Sequence, residues 1–441
     1  MVRRMSLLIR NARVWGDEPQ DILIEGQTIE SVAPRGAARA DRELDVDGRI
    51  VLPAFVNCHW HADKCFYLKD LIHRLPGGSR YRDAELKQRF ASEVRSGMAH
   101  FEAKQAISLE STWAIKHTYT VEDVADRAGR AMELAIQYGC GAVRMFADVD
   151  RHAGVTGVKG LCAVKQRYGH LLHLQVVAFP QEGIFTNPDT ADLMKEALEG
   201  GADVVGGIPW VEWDETRQRQ HVDTCFEFAR AYDRDIHMLC DDTEDPSSRT
   251  LEHLAMRTIE NGWQGRVSAS HCCALSFYDD AHASKVIDLV RQANLTIVSN
   301  AQISLVDIAN LAREPRPRGI TRVRELLAAG VNVASAQDDV DDWYYPWGRN
   351  DLLEVAFFMA HTAQFFHLDT MPIPFRMVTE HAARAMRLQN YGVAPGCEAN
   401  LVVLDAPTLH EAFQYQADRR YVLLRGRVVA ETQRTTTLTL E

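Results

Sequence analysis

The sequence lacks several features that mark whole classes of protein. It has no apolar run near the roughly 20 residues that a membrane-spanning helix needs. Its start, MVRRMSLLIRNARVW, holds an apolar run of only about five residues, too short for a secretion signal. The nine cysteines are odd in number and form no CxxC pair, which favours free thiols in a reducing compartment over a disulfide framework. These absences predict a cytoplasmic protein with no membrane partner.

Basic residues are also in deficit. Lys and Arg total 49 against 61 Asp and Glu, a net charge of −12. An acidic surface repels phosphate backbones, so nucleic acid is a poor candidate partner and a small neutral or cationic molecule a better one. The composition is 46% hydrophobic and 25% charged, as in an ordinary globular protein.

The two ends of the chain share a β-like texture. Alternating runs such as LLIRNARVW and DILIEGQTIESVAP precede position 50, with Gly26 and Gly48 where hairpins would turn. ANLVVLDAP and YVLLRGRVVAET repeat the pattern after position 390. We therefore expect residues 1–52 and 388–441 to form one small β-sandwich module.

The middle of the chain, residues 53–387, alternates eight apolar runs with segments of helical period. This alternation predicts an α/β fold, a (β/α)₈ TIM-like barrel, with a doubly wound open sheet as the alternative. Residues 67–120 carry few strand signals, and we expect them to pack as extra helices over the barrel mouth. The runs are IVLPAFVNCH, GAVRMFAD, LLHLQVVAFP, ADVVGGIP, RDIHMLCDD, RVSASHC, LTIVSN and VNVASAQDD.

The first of these runs ends in a histidine pair. His59 and His61 are two residues apart, so on a strand both side chains point to one face and can hold one ion. The motif alone is weak, because two packed core histidines give the same pattern. Its place after a buried strand, where barrels of this kind carry their chemistry, favours a metal site.

Polar residues also end other runs. His271 ends the sixth, where it is either a site residue or a core histidine. Asp338 and Asp339 end the eighth; a carboxylate there can complete a metal site and accept a proton from bound water, or it can cap a helix. Gln181 ends the third, where its amide could bind a cyclic amide edge or cap a turn. On the fifth strand, His237, Leu239 and Asp241 share one face.

Together these residues resemble cytosine deaminase and its relatives in the amidohydrolase superfamily, over nearly the whole chain. Asp63 and Lys64, after the histidine pair, are similar to the form in N-isopropylammelide hydrolase. The motifs that carry the resemblance are FPQEGI, EDPSSR, ASH, RGITRVRELLAAGVNV, DDVDDWYYPWG and NYGVAPGCEANLVVLDA.

The resemblance implies roles for individual side chains. His59, His61 and Asp338 match the metal ligands, and His271 matches the histidine that holds the attacking hydroxide. Gln181 matches the glutamine that reads the pyrimidine edge. Asp339 and Trp343 are the further substrate-binding candidates, Trp343 in the loop that lines the ring.

Several positions depart from the family pattern. The fifth-strand metal histidine falls on Leu239, and the general acid-base glutamate falls on Asp242, one methylene shorter. A family histidine is replaced by Phe146, and Gln337 stands where the deaminase has a histidine. His237 is a candidate replacement ligand, and Cys240 is another if the strand bulges.

The predicted protein is a metal-dependent amidohydrolase that deaminates a cytosine-like cyclic amidine, a pyrimidine, triazine or creatinine-like ring. One divalent ion, zinc or iron, would supply the attacking hydroxide, with Asp242, His271 and Asp338 as catalytic residues. Ring opening of a cyclic amide or release of an alkylamine would use the same machinery. The departures also leave open a catalytically impaired homologue that binds a small molecule, or an altered substrate. The resemblance further implies a homo-oligomer.

Overall fold

A computed structural model of the chain describes residues 6–36, 38–71, 74, 112–308 and 317–440. The strands are β1 (Ser6–Val14), β2 (Gln20–Glu25), β3 (Thr28–Pro34), β4 (Arg42–Asp45), β5 (Ile50–Pro53), β6 (Phe55–His61), β7 (Cys140–Asp148), β8 (His173–Phe179), β9 (Val204–Gly207), β10 (Asp235–Cys240), β11 (Val267–His271), β12 (Thr296–Val298), β13 (Asn332–Ala334), β14 (Leu401–Leu404), β15 (Arg419–Leu424) and β16 (Arg427–Glu431).

Helices follow most of the barrel strands. They are α1 (Val121–Gln137), α2 (Thr156–Tyr168), α3 (Thr190–Glu199), α4 (Glu215–Tyr232), α5 (Thr250–Glu260), α6 (Asp280–Gln292), α7 (Ala301–Asp307), α8 (Val323–Ala328), α9 (Leu352–Thr362), α10 (Pro372–Met377), α11 (Glu380–Ala385) and α12 (Leu409–Gln414). Among the described residues, no helix has the length and apolarity needed to cross a membrane.

Helix α1 shows how the sequence specifies such an element. Thr120 caps its start by accepting a hydrogen bond from the Asp123 N–H. Val124, Ala128 and Ala131 then recur at spacings of four and three residues, so they form one buried stripe. This stripe packs in the large apolar core between the barrel strands and their helices.

The terminal segments form one small sheet. Its strands run in the order β16-β15-β14-β5-β1-β2-β3, with β4 paired to β1. Ile9, Ile22 and Leu401 are buried in its own apolar cluster, whereas Ile50 and Leu52 of β5 belong to the main barrel core. The β module built from both ends is therefore confirmed, and it is joined to the barrel by a shared core.

Strands β6 to β13 form an eight-stranded parallel sheet in sequence order, one strand for each predicted run. Every residue of β6 and β7 is buried, as expected for strands covered on both faces. A parallel bridge between Trp60 and Asp338 joins the first strand to the segment after the last one. The predicted barrel is confirmed, and the open sheet is excluded.

The boundaries given above for the two domains, at residues 52/53 and 387/388, stay a prediction. In the structure, the last strand of the N-terminal part of the β module ends at Pro53 and the first barrel strand begins at Phe55. Most of the segment 67–120, predicted to add helices over the barrel mouth, lies outside the described residues. Its described ends are a π-helical turn at Tyr67–Leu71 and a helical stretch at 112–116.

Candidate active site

Three predicted metal ligands meet at the mouth of the barrel. His59 Nε2 lies 3.3 Å from His61 Nε2 and 3.1 Å from Asp338 Oδ1, and His61 Nε2 lies 3.5 Å from the same oxygen. All three side chains are at most 5% exposed. Their ligand atoms lie within 4.8 Å of one another, so one cation could contact all three.

Backbone irregularities place these side chains together. The register of β6 against β7 shifts between Asn57 and Trp60, which turns Trp60 toward the helices while His59 and His61 face the barrel interior. Asp338 has a φ of 68°, uncommon for a residue with a side chain. The Asp338 N–H donates to the His59 carbonyl, and the Asp338 carbonyl accepts from the His61 N–H. The two hydrogen bonds that close the barrel therefore also hold the three side chains next to one another.

The donor set fits a divalent metal. Tetrahedral zinc with bonds of about 2.0–2.2 Å holds its ligand atoms about 3.3–3.5 Å apart, which matches these spacings. Two imidazole nitrogens and one carboxylate oxygen suit zinc or iron. Burial lowers the pKa of His59 and, to a greater extent, of His61, so both rings are neutral, the form that binds metal. Burial alone would raise the pKa of Asp338, but the facing imidazoles of His59 and His271 outweigh it and lower that pKa.

A hydrogen-bonded layer lies behind His59. Ser270 Oγ is 2.9 Å from His59 Nδ1 and also contacts His237 Nε2, while Arg144 donates to His237 Nδ1 at 3.0 Å. His237 therefore faces the Nδ1 side of His59, away from Asp338, and both of its nitrogens have partners. The structure does not bring His237 into the cluster of His59, His61 and Asp338; its Nε2 lies 3.3 Å from His59 Nδ1 instead.

His271 stands between two carboxylates. Its Nδ1 lies 3.6 Å from Asp242 Oδ1, and its Nε2 lies 3.6 Å from Asp338 Oδ2. His271 and Asp338 both have positive φ values, 65° and 68°. Asp242 is partly exposed, at 25% of its side chain, and contacts the cavity. These three titratable side chains line one cavity beside His59 and His61.

Leu239 lies in an apolar wall. It packs with Phe146, Phe179 and Ile208, at 6% exposure, and it lines the same cavity as His61. Phe146 also lies against His59, with ring centroids 4.2 Å apart. Two of the four departures from the family pattern, Leu239 and Phe146, therefore lie in one apolar wall beside His59 and His61. Cys240 is fully buried in the core outside this wall, where it does not join the ligands.

Gln181 lies at the opposite rim beside a buried lysine. Lys64 Nζ donates to Gln181 Oε1 at 2.7 Å and to Asp148 Oδ1 at 3.2 Å. Burial alone would lower the pKa of Lys64, but the carboxylates of Asp148 and Asp63 raise it, so the amine is charged. Sequence reasoning noted Lys64 only as part of a motif, because its contact with a residue 117 positions later is not readable from a single chain.

The loop after Asp338 holds the other substrate-binding candidates. Asp339 is buried and lines the cavity; burial and the neighbouring Asp342 raise its pKa well above the usual range. It caps no helix, because the next helix, α9, is capped by Asp351. Trp343 packs away from the cavity with Tyr67 in a separate apolar cluster, and Tyr344 lines the cavity in its place.

The cavity has a volume of about 700 Å³. The structure brings together at its wall His61, Gln181, Asp242, His271, Asp338 and Asp339. Sequence reasoning missed several lining residues, among them Lys64, Trp113, Glu182, Trp210, Trp213 and Tyr344. The three tryptophans lie outside the predicted strand ends, so the strand pattern of the sequence does not single them out as cavity residues.

Comparisons with known proteins agree with this geometry. The sequence pattern of the Amidohydrolase family matches residues 96–430. The chain is 27% identical to the N-isopropylammelide isopropyl amidohydrolase of Pseudomonas sp. (strain ADP), covering 98% of this chain and 99% of that one. It is 28% identical to the pterin deaminase of Rhizobium rhizogenes, with coverages of 93% and 87%. The crystal structure of 5-methylcytosine deaminase from Klebsiella pneumoniae liganded with 5-fluorocytosine superposes with a TM-score of 0.86 at 30% identity, with coverages of 98% and 99%.

Proposed function

Because the chain belongs to the amidohydrolase family, we propose that it is a metal-dependent hydrolase that deaminates a cytosine-like cyclic amidine. The observation that carries the proposal is the meeting of His59, His61 and Asp338 at 3.1–3.5 Å, with His271 and Asp242 beside them on one cavity. The relatives named above, whose names describe C–N hydrolysis on heterocycles, support the same reaction class.

A divalent zinc or iron ion held by His59, His61 and Asp338 would act as a Lewis acid that lowers the pKa of a water toward neutrality. Asp338 and Asp242 are the carboxylates placed to take up the proton of the attacking water. His271 lies between them and orients that water toward the sp² carbon of the ring. Asp242, the more exposed carboxylate, then carries the proton to the leaving nitrogen, so that ammonia departs and a carbonyl remains.

The test is ammonia release from a panel of cytosine, isocytosine, creatinine and ammelide-like compounds, N-isopropylammelide among them, with the metal content measured by plasma mass spectrometry. We expect about one metal per chain, its loss in the His59→Ala, His61→Ala variant, and turnover of at least one compound. Asp235→Asn, at the opposite end of β10, is the control that should keep both metal and activity. Carbonyl products formed without ammonia would instead identify ring opening or alkylamine release.

A second candidate function rests on Leu239 and Asp242. A site with three ligands and a shortened acid-base side chain could bind a heterocycle without turning it over, as a small-molecule binder. Thermal stabilisation by a panel compound, in a protein that holds no metal and releases no product, would favour this alternative.

A further inference from the structure

The carboxylate of Asp242 lies in the loop that follows β10, a strand that ends at Cys240. Its side chain is 25% exposed and contacts the cavity. Rotation about the side-chain bonds of an aspartate moves both carboxylate oxygens, so their position relative to a molecule in the cavity depends on the groups that contact them.

Two side chains of the next strand end approach the same oxygen of Asp242. His271 Nδ1 lies 3.6 Å from Asp242 Oδ1, longer than the usual N–H···O hydrogen bond of about 2.7–3.2 Å. Cys273 Sγ lies 3.3 Å from Asp242 Oδ1 and donates to it. A sulfur atom is larger than a nitrogen atom, so this distance is that of a hydrogen bond. The thiol, and not the imidazole, is therefore bonded to Oδ1.

The surroundings of Cys273 fix the direction of this hydrogen bond. Cys273 is 0% exposed, and burial, together with the charge of Asp242, raises the pKa of its thiol well above the usual range, so the sulfur keeps its proton. An ionised carboxylate only accepts hydrogen bonds, so the single thiol proton goes to Asp242. Ser304 Oγ lies 3.8 Å from the same sulfur, and its hydroxyl is left to donate to that sulfur.

The backbone also holds Cys273 beside Asp242. The N–H of Ala274, the residue after Cys273, donates to the carbonyl of Asp241, the residue before Asp242, at 3.0 Å. The turn that begins at Cys273 and the loop that carries Asp242 are therefore joined next to both side chains. A thiol held in this way restricts the rotation of the carboxylate that it contacts.

We propose that Cys273 is a positioning residue for Asp242: its S–H holds Oδ1 and leaves Oδ2 to carry the proton to the leaving nitrogen. The inference rests on the proposed function, because it concerns the side chain that moves the proton in that reaction. The thiol proton stays on the sulfur throughout. A misplacement of about 1 Å costs about 100-fold in rate, so loss of the thiol should lower kcat about 10- to 100-fold and leave KM nearly unchanged.

Infrared spectroscopy tests the contact without any substrate. The S–H stretching band of a thiol moves to lower wavenumber when the thiol donates a hydrogen bond. The difference spectrum between the unaltered protein and Cys273→Ser separates the band of Cys273 from those of the other cysteines. The same difference recorded in an Asp242→Leu background, which lacks the carboxylate, should place the band at higher wavenumber. A band at the same wavenumber in both backgrounds would overturn the inference.

Ammonia release by the metal-loaded protein tests whether the contact serves the reaction. Cys273→Ala removes the donor and should lower kcat, whereas Cys273→Ser keeps an O–H donor and should recover most of it. Cys225→Ala is the matched control, because Cys225 is also 0% exposed but donates to the Gly206 carbonyl at 3.4 Å instead; its kcat should stay unchanged.

The outcomes separate this inference from the proposed function. Equal kcat values in Cys273→Ala and Cys225→Ala would overturn the positioning role and leave the proposed function standing. A drop in Cys273→Ala that Cys273→Ser does not relieve would also overturn it, since the hydrogen bond would then not be what matters. Absence of turnover in the unaltered protein would overturn the proposed function, and the inference with it.

Discussion

Replacing Leu239 by histidine tests whether this position is where a fourth ligand would stand. The side chain is 6% exposed in the wall of Phe146, Phe179 and Ile208. Burying a leucine stabilises a protein by about 1.5–3 kcal/mol, and an imidazole recovers only part of this. Without metal, Leu239→His should therefore lower the free energy of unfolding by about 2 kcal/mol.

Zinc should reverse the sign of the effect. Loss of an outer partner of a metal ligand costs about 10- to 100-fold in affinity, so a new direct ligand should gain about 100-fold, or about 2.7 kcal/mol. Ligand binding to the folded state adds this gain to stability. The assay is urea unfolding with and without zinc, together with zinc affinity from chelator competition.

The matched control for this change is Leu239→Gln, which introduces a polar group of similar size that is a poor ligand. Both variants should be destabilised without metal, and only the histidine variant should bind zinc more tightly than the unaltered chain. Equal zinc affinity in the two variants would refute the placement of Leu239 beside the metal.

Three further predictions follow from individual contacts. Ser270→Ala removes the Oγ partner of His59 Nδ1 and should weaken zinc binding about 10- to 100-fold by chelator competition, whereas Ser268→Ala on the same strand should not. Asp242→Asn should abolish turnover in the ammonia assay while metal content stays near one per chain. Glu212 gives a pH test: burial alone would raise its pKa, but hydrogen bonds from His221, Thr186 and nearby N–H groups lower it from 4.5 to about 2. Because the pKa of the Glu212 carboxyl is lowered, its ionised form stabilises the fold above pH 4.5, and this stabilisation is lost as the pH falls toward 2. Glu212→Gln should therefore remove about 3 kcal/mol of the acid-dependent part of the free energy of unfolding, measured from pH 6 to 2. An unchanged pH profile would contradict this.

Much of the fold and of the ligand set was predictable because strand order carries the information. Parallel strands in a barrel all end at one mouth, so His59, His61 and Asp338 had to approach one another once eight strands were recognised. The separation of 277 residues between His61 and Asp338 did not hinder this inference, since topology alone brings them together.

What the sequence did not reveal depends on irregular backbone and on partner choice. Trp343 and Tyr344 are neighbours in a loop, and which of them faces the cavity follows from the left-handed Asp341, at φ 53°, and from the Asp342 carboxylate that accepts the Tyr344 N–H. Neither the left-handed residue nor this hydrogen bond produces a periodic pattern in the sequence from which it could be predicted. The position of His237 was uncertain for a related reason: strand alternation gave its face, but only the contacts with Ser270 and Arg144 show which side of His59 it supports.

The electrostatics of the cluster also bear on whether the site has kept its metal. Asp338 is buried and ionised; burial holds the facing imidazoles of His59 and His61 unprotonated, the amide of Asn300 donates to it at 2.9 Å, and His271 Nε2 lies 3.6 Å from it. An ionised carboxylate that no cation contacts closely is costly inside a protein. A divalent cation between His59, His61 and Asp338 would offset that cost directly. These contacts therefore support the proposed three-ligand metal site, with Leu239 at the position that the resemblance assigns to a fifth-strand ligand.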